Sequence, residues 1–544
     1  MPSQHPRGLY VCFATELWER FSYYGMRALL IFYLMQHFLF SEGESYLIYG
    51  TYTALVYMTP VLGGAIADRY LGARKAVTLG AILLVIGHLG IAVEGPPATQ
   101  IGTAAGAVAR DAVSLQIFYT SLAFIIVGVG FLKTNASTLV GALYGPNDPR
   151  RDSGFTIFYM GINLGGAAAP LLCGWIGQTY GWRYGFGLAG IGMLAGLFTF
   201  LRGQRHLHGL ADPPNPAWLR EPVIAGLSRE LLIYASSVAL VIAAWLLLNN
   251  RQVVGPMLTV FGIVTGLGVL YYSLSRCNPV ERDRLLVCAA LIVFTIGFWA
   301  LYEQMGSSLA VFADRLVDRT IFGFTVPASM FQSLPPIFIL LLAPVASALW
   351  LHLGRRGREP SATLKFSLAL LQVGLAFLVL TLGLNGTEPG AKVALGWFVL
   401  NFFLMTCGEL CLAPVGMSVV TKLAPRRIVG VMMGAFFLAY SASSYISGLV
   451  AQLTSQNDAG VSPIQAFANV YTRLGVIALA LALVLFLLAP VLTRRSHENH
   501  AHRMIAPGHR SNGATHEAIG AGHPAEYPGL RSAGEHSDRP RDSD

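Results

Sequence analysis

Fourteen stretches of this 544-residue chain are long and apolar enough to cross a bilayer as helices, and few other folds could accommodate them. Six come first, at about 11–39, 46–70, 76–94, 114–140, 154–178 and 184–201. A polar, proline-rich linker follows, "RGQRHLHGLADPPNPAWLREP", which reads as a break. Two very apolar segments lie at about 230–248 and 254–274. Six more complete the set, at about 286–311, 328–352, 363–384, 393–421, 428–452 and 465–493. The chain therefore reads as an all-α membrane protein of 14 spans. Composition agrees: 54% of residues are hydrophobic and 12% charged, where soluble domains carry about 25% charged residues.

The net charge of +9 could suit nucleic acid or anionic lipid. The basic residues instead sit in short loops between apolar runs, which makes them topology signals and argues against a nucleic-acid partner. One set of alternate loops holds Arg69, Arg74, Lys75, Arg150, Arg151, Arg355, Arg356, Arg358, Lys422, Arg426 and Arg427, with Arg202, Arg205, Arg494 and Arg495 on the same side. The opposite loops are sparse, with mainly Arg110, Arg183, Arg251, Arg315, Arg319 and Lys392. Both termini are expected in the cytoplasm, in a multi-pass protein of the cell (inner) membrane. The first segment is too charged for a signal peptide. Six cysteines, Cys12, Cys173, Cys277, Cys288, Cys407 and Cys411, lie mostly within apolar runs and form no C-x-x-C pair, so they read as buried thiols rather than metal ligands.

Six spans, two spare spans and six spans suggest a two-halved carrier with an insertion at its middle. The expected organisation is a six-helix bundle over 1–201, a linker with two extra helices over 202–284, a second six-helix bundle over 285–495, and a disordered cytoplasmic tail over 496–544. The loop "GGAIADRYLGARK", Gly63 to Lys75, resembles the signature loop of the major facilitator superfamily.

The first span carries charge where charge is costly. Each charged residue near the bilayer centre costs about 2.5–3.5 kcal/mol on insertion scales, and "TELWERFSYYGMRALLIFYL" holds Glu16, Glu19, Arg20 and Arg27. At 3.6 residues per turn, Glu16, Glu19, Arg20, Tyr23 and Arg27 fall within roughly 100° of the helix circumference, with Tyr24 at the edge. Glu16 and Arg20 are spaced to pair along the helix, which leaves one carboxylate over. Lys133, Glu303 and Glu409 are further ionisable residues inside later spans. Intramembrane charge of both signs is best explained by a pathway whose pairs break and reform.

Several ordered motifs then carry a family resemblance. "ELWERFSYYGMRALL", "FYMGINLGG", "GFLKTNAS", "FWALYEQ", "FQSLPP" and "GELCLAPVGMSVVTKLAP" resemble the signatures of the proton-coupled oligopeptide transporter family, in its bacterial form with two extra central helices. The resemblance covers almost the whole chain except the tail. It implies the major facilitator fold, two six-helix bundles plus two inserted helices, and proton-driven symport of di- and tripeptides by alternating access.

Carried onto this sequence, the resemblance implies a proton-coupling set of Glu16, Glu19, Arg20, Lys133 and Glu303, with Glu303 meeting Arg27 when the outer mouth closes. Arg27 and Lys133 would attract a peptide's carboxylate, and Glu409 and Asn163 its ammonium. Tyr23, Tyr24 and Tyr57 would line the pocket, and Trp299 would shape a side-chain subsite. Asn163, beside a glycine-rich run, also suits an interhelical hydrogen bond.

The chemistry suits a zwitterion recognised by its termini, with side chains loosely specified. Pairing keeps a buried carboxylate ionised, and separation in a dry site favours its protonation. One charge moved through about 100 mV supplies about 2.3 kcal/mol, or roughly fifty-fold accumulation. The sequence has no nucleophile–base constellation, P-loop or metal motif. It therefore points to neither an enzyme nor an ATP-driven pump, with no cofactor or metal, and with one chain sufficient for function.

Three positions depart from the family pattern. Pro335 stands where an amine-contacting Asn is common, and with Pro336 is expected to bend its helix. Phe436 stands where Trp is frequent, and Gly50 where animal members place a pH-sensing His. These leave room for another proton-coupled substrate, such as nitrate or a peptide-like drug. A non-transporting receptor on the same fold would not require so many intramembrane charges.

Overall fold

A segment surrounded by lipid must satisfy its own backbone hydrogen bonds, and all fourteen apolar segments do so as helices. The computed structural model describes residues 4–497 apart from 102–107, 146–147, 208, 225, 389 and 456–461. The long helices among the described residues are α1 (Arg7–Gln36), α2 (Glu42–Ile66), α3 (Gly72–Ile91), α4 (Ala112–Ala142), α5 (Arg151–Ala169), α6 (Trp182–Gly203), α7 (Arg229–Asn249) and α8 (Val254–Ser275). They continue as α9 (Pro279–Tyr302), α10 (Leu334–Arg355), α11 (Ala362–Asn385), α12 (Leu395–Leu423), α13 (Val429–Gln452) and α14 (Pro463–Arg495). Twelve helical stretches among the described residues are long and apolar enough to span a membrane. Glu42–Ile91 counts there as one, although it holds both α2 and α3, and the charged α1 falls outside the set.

Local sequence sets the helix starts. Ser41 with Glu44 and Asn278 with Glu281 form capping boxes at α2 and α9. Asp111, Ser228, Ser361 and Ser462 cap α4, α7, α11 and α14 by accepting a backbone N–H three residues on. Small residues then let helices approach closely. A Cβ on Gly63 would lie 2.2 Å from the Gly130 carbonyl oxygen, and one on Gly80 2.7 Å from that of Gly128.

In the packing, α1 lies against α5 and α6, α3 against α4 and α6, and α11 against α12 and α14. The longest contact between the first six helices and the last six is α2 along α13. Of the two inserted helices, α7 rests on α4 and α8 on α13. Their outward faces expose Ile242, Val260, Val264 and Leu267, a surface suited to lipid.

Four features differ from the expectations. The span expected over 286–311 is broken: α9 ends at Tyr302, a 3-10 turn takes Glu303–Gly306, and a short helix Ser308–Leu316 follows. Gly306 and two serines in succession are weak helix formers, and Ser307 leaves the helical region at φ −123°, ψ −99°. Pro335 and Pro336 do not bend a helix at its middle. They sit in the first turn of α10, after a 3-10 segment Ala328–Ser333, where a missing N–H leaves nothing unpaired.

The linker is ordered rather than a simple break. Arg74 Nε donates to Asp212 Oδ1 at 2.5 Å, Lys75 Nζ to Glu230 Oε1 at 2.6 Å, and Tyr70 stacks on Trp218 at 5.4 Å. Finally, three two-stranded hairpins among the described residues interrupt the helical pattern, pairing Thr99–Gln100 with Val108–Ala109, Pro222–Ile224 with Leu227–Ser228, and Thr320–Ile321 with Phe324–Thr325. The tail expected to be disordered lies, from residue 498 on, outside the described residues.

Candidate functional site

The stripe on α1 is buried along its whole length, with Glu16, Glu19, Arg20 and Tyr23 each at most 3% exposed. Arg20 binds Glu19 through both ends of its guanidinium, Nε to Oε2 and Nη2 to Oε1, the latter at 2.5 Å. Glu16 Oε1 is 3.7 Å from Arg20 Nε. The spare carboxylate of the trio is therefore Glu16, whose Oε2 is buried without a hydrogen-bond partner among the described residues. Arg20 also lies over the rings of Tyr23 and Tyr24, at 4.9 and 5.7 Å from their centroids.

About two turns beyond Arg20, α1 presents Arg27. Its Nη2 donates to Glu303 Oε2, and its Nε donates to the Tyr49 hydroxyl at 2.5 Å. The pair joins α1 to the turn that breaks the α9 segment, and both side chains are buried. Gly306 makes room for it, because a Cβ there would lie 1.7 Å from the Tyr49 oxygen. Two further contacts join the first six helices to the last six at the same end of the bundle. Arg315 pairs with Glu42, and Gln452 Nε2 donates to the Gly43 carbonyl at 2.7 Å. One mouth of the bundle is closed.

Lys133 makes no ion pair with the expected salt-bridge network among the described residues, although it lies near enough for its charge to act on Glu16 and Glu19. The ion pairs of Glu16 and Glu19 among the described residues go to Arg20 alone. Lys133 Nζ instead sits 4.5 Å from the centroid of the Tyr57 ring. Tyr57 contacts Tyr440 at 4.3 Å between centroids, Tyr440 contacts Trp299 at 4.5 Å, and Trp299 contacts Tyr302 at 5.1 Å. The Tyr302 hydroxyl then donates to Glu409 Oε2. An aromatic chain through α2, α13 and α9 thus has a cation from α4 at one end and an acid from α12 at the other. Trp299 Nε1 and the Tyr23 hydroxyl are buried donors with no hydrogen-bond partner among the described residues, polar atoms that a bound polar ligand could satisfy.

The remaining sequence candidates are less involved. Asn163 is buried and donates to the Tyr159 carbonyl of its own helix at 3.0 Å. Tyr24 packs edge-on against Tyr23, near Gly166 and Pro336. Phe436 is buried against Gly416. Gly50 has no room for a side chain, since a Cβ would meet Gly448 Cα at 2.9 Å.

Tyr49, Tyr302 and Tyr440 were not singled out from sequence. The four tyrosines at 46, 49, 52 and 57 of one apolar helix were a usable signal for the first, and adjacency to Glu303 for the second.

A membrane-embedded helical bundle with buried charges and an aromatic chain shared between its first and last six helices is the build of a secondary transporter. The chain belongs to the POT family, whose sequence profile matches residues 74–471. It is 38% identical to an uncharacterised transporter of Bacillus subtilis, YclF, over 90% of this chain and 95% of that one. It is 37% identical to a di-/tripeptide transporter of Lactococcus lactis, over 82% of this chain and 89% of that one. The crystal structure of a peptide transporter POT in complex with sulfate superposes with a TM-score of 0.77 at 35% identity, covering 91% of this chain and 96% of that chain. The protein is accordingly a multi-pass membrane transporter of the major facilitator fold.

Proposed function

We propose that this protein carries di- and tripeptides into the cell together with protons, by alternating access between two six-helix bundles, α1–α6 and α9–α14. The observation that carries the reading is the aromatic chain from Lys133 to Glu409. A zwitterionic peptide lying along it would set its carboxylate toward Lys133 and Arg27 and its ammonium toward Glu409, with Asn163 close to the latter. Tyr23, Tyr24 and Tyr57 would bind the backbone, and Trp299 would shape one side-chain subsite. Recognition by termini and backbone leaves the side chains loosely specified. The di-/tripeptide transporter among the relatives supports the substrate class.

Proton coupling rests on the same charges. Arg27–Glu303 holds the mouth beside the α1–α2 connection shut, and the charge of the loops supports an orientation with that mouth outside the cell and both termini in the cytoplasm. Protonating Glu303 removes the charge that holds Arg27, so the outer mouth opens and the peptide carboxylate can take the acid's place. Release of the proton inward by way of the Glu16 and Glu19 carboxylates, with Arg20 as their counter-charge, restores the pair and closes the mouth behind the peptide. One chain contains every residue this cycle needs, so a monomer suffices, with the lipid bilayer as its surroundings. The steps are binding and proton exchange, and no bond of the substrate is broken.

Pro335 and Phe436 favour a second reading, transport of another small proton-coupled substrate such as nitrate or a peptide-like drug. Pro335 supplies no amide side chain to an amine. Uptake of labelled dialanine and trialanine into proteoliposomes, with and without an inward proton gradient, decides between them. Gradient-driven accumulation establishes peptide symport. No uptake by folded protein, with nitrate or a peptide-like drug accumulated instead, establishes the alternative.

A further inference from the structure

The turn that carries Glu303 also carries Gln304, which is fully buried and makes contacts to three other parts of the fold. Its Nε2 donates to the Ala300 carbonyl at 3.2 Å, to the Ser447 carbonyl at 3.0 Å and to Ser447 Oγ at 3.0 Å. Its Oε1 accepts from Ser308 Oγ at 2.7 Å, and Ser308 is in turn reached by the Tyr471 hydroxyl at 3.5 Å. Two carbonyls on one side of the amide require the NH2 there, which fixes its orientation. Gln304 therefore ties both arms of the broken span, α9 and Ser308–Leu316, to α13.

The residue after Ser447 is Gly448, which makes the close crossing with Gly50 of α2. The residue before Gly50 is Tyr49, which receives the Arg27 Nε–H. The contacts close a ring: Arg27 to Glu303, along the chain to Gln304, across to Ser447 and Gly448, across to Gly50, along the chain to Tyr49, and back to Arg27. Two links of the ring join the first six helices to the last six, the Arg27–Glu303 pair and the Gly50–Gly448 crossing. Gln304 is the link that holds their two far ends together.

We propose that Gln304 is a positioning residue that makes the charged pair and the glycine crossing release and reform as one unit. Breaking Arg27–Glu303 frees the turn at Glu303, and through the Gln304 amide it draws α13 away from α2. Without that amide the pair can break while α13 stays seated on Gly50. The proposal rests on the carrier reading for its purpose, since a single coupled mouth prevents a leak through one half-open seam. Its geometry can be tested without any substrate.

The test is hydrogen exchange on the full-length protein in nanodiscs, comparing Glu303→Gln in the native background with the same change combined with Gln304→Met. In the native background, Glu303→Gln is expected to raise exchange about ten-fold in both 303–308 and 444–452. With Gln304→Met added, 303–308 responds and 444–452 does not. Gln304→Leu, of similar volume and with neither donor nor acceptor, is expected to behave like Gln304→Met and guards against a packing artefact. Equal responses of both segments in the combined variants would overturn the proposal. So would failure of 444–452 to respond to Glu303→Gln alone. Dialanine uptake on the same samples reads the peptide-carrier assignment separately: no uptake by native protein would refute that peptide assignment and leave the exchange result standing.

Discussion

The two charge clusters on α1 differ in where their partners come from. Glu16, Glu19 and Arg20 belong to one helix, whereas Arg27 finds Glu303 from 276 positions further along the chain. A cluster within one helix keeps its spacing however the helix moves, so it can hold and exchange a proton in every conformation. A pair between two helices survives only while they stay together, so its making and breaking reports on the mouth. In the account proposed above, protonation of the second cluster at Glu303 opens the gate, and the first cluster passes the proton inward.

The largest effect expected comes from breaking the gate pair one side at a time. Arg27→Ala or Glu303→Gln leaves a buried partner alone, and loss of one member of such a pair costs about 3–5 kcal/mol. Thermal unfolding in detergent should show both single variants less stable than Arg27→Met with Glu303→Leu, where neither charge remains. A double variant as unstable as the singles would contradict the pairing.

Glu19→Gln sharpens the contrast from the other side. It should leave the gate and peptide counterflow intact but abolish proton-driven accumulation, reducing a gradient of up to roughly fifty-fold toward unity. Retained accumulation in this variant would move proton handling away from the α1 cluster.

Gly50→Ala tests the α2–α13 seam beside the gate pair. The added methyl meets Gly448 Cα at 2.9 Å, and overpacking of this kind costs about 1–3 kcal/mol. Uptake should fall because the outer mouth closes less well, with unfolding temperature lowered less than in the Arg27 variant.

The smallest effect belongs to an ion pair outside the spans. In the α4–α5 turn, hydrogen bonds from the Arg150 side chain hold the Asp148 carboxyl down, from 3.8 to about 2. A carboxyl held below its ordinary value contributes stability that is full above 3.8 and fades as pH falls toward 2. Asp148→Asn should therefore show a small deficit in unfolding temperature at neutral pH that closes on acidification, as expected of an exposed pair. A deficit that grows on acidification would contradict the sign.

What sequence could reveal follows the same division between local and distant. The spans were legible because twenty apolar residues have few alternatives, and the capped helix starts mostly lie within four residues of the expected limits. The stripe on α1 was legible because its spacing is a property of one helix. Even there the chief partner of Arg20 is its neighbour Glu19 rather than the Glu16 one turn away, which helical spacing alone disfavours.

Partners from elsewhere in the chain were not legible from spacing. The Arg27–Glu303 meeting followed only from family resemblance. The place of Lys133 over Tyr57 and the links through Tyr440 and Tyr302 depend on how five helices pack. The break after Tyr302 was missed because apolar residues continue on both sides of it, and hydropathy does not register a turn whose polar groups are satisfied by buried side chains such as Gln304.

The most direct measurement of the central claim is proton movement during peptide entry. Dialanine added outside proteoliposomes with no imposed gradient should make the external medium more alkaline as protons enter with peptide. Glu19→Gln should abolish that signal while labelled dialanine still exchanges. Dialanine entry by the native protein without alkalinisation would contradict the account, because the buried charges on α1 would then have no part in coupling.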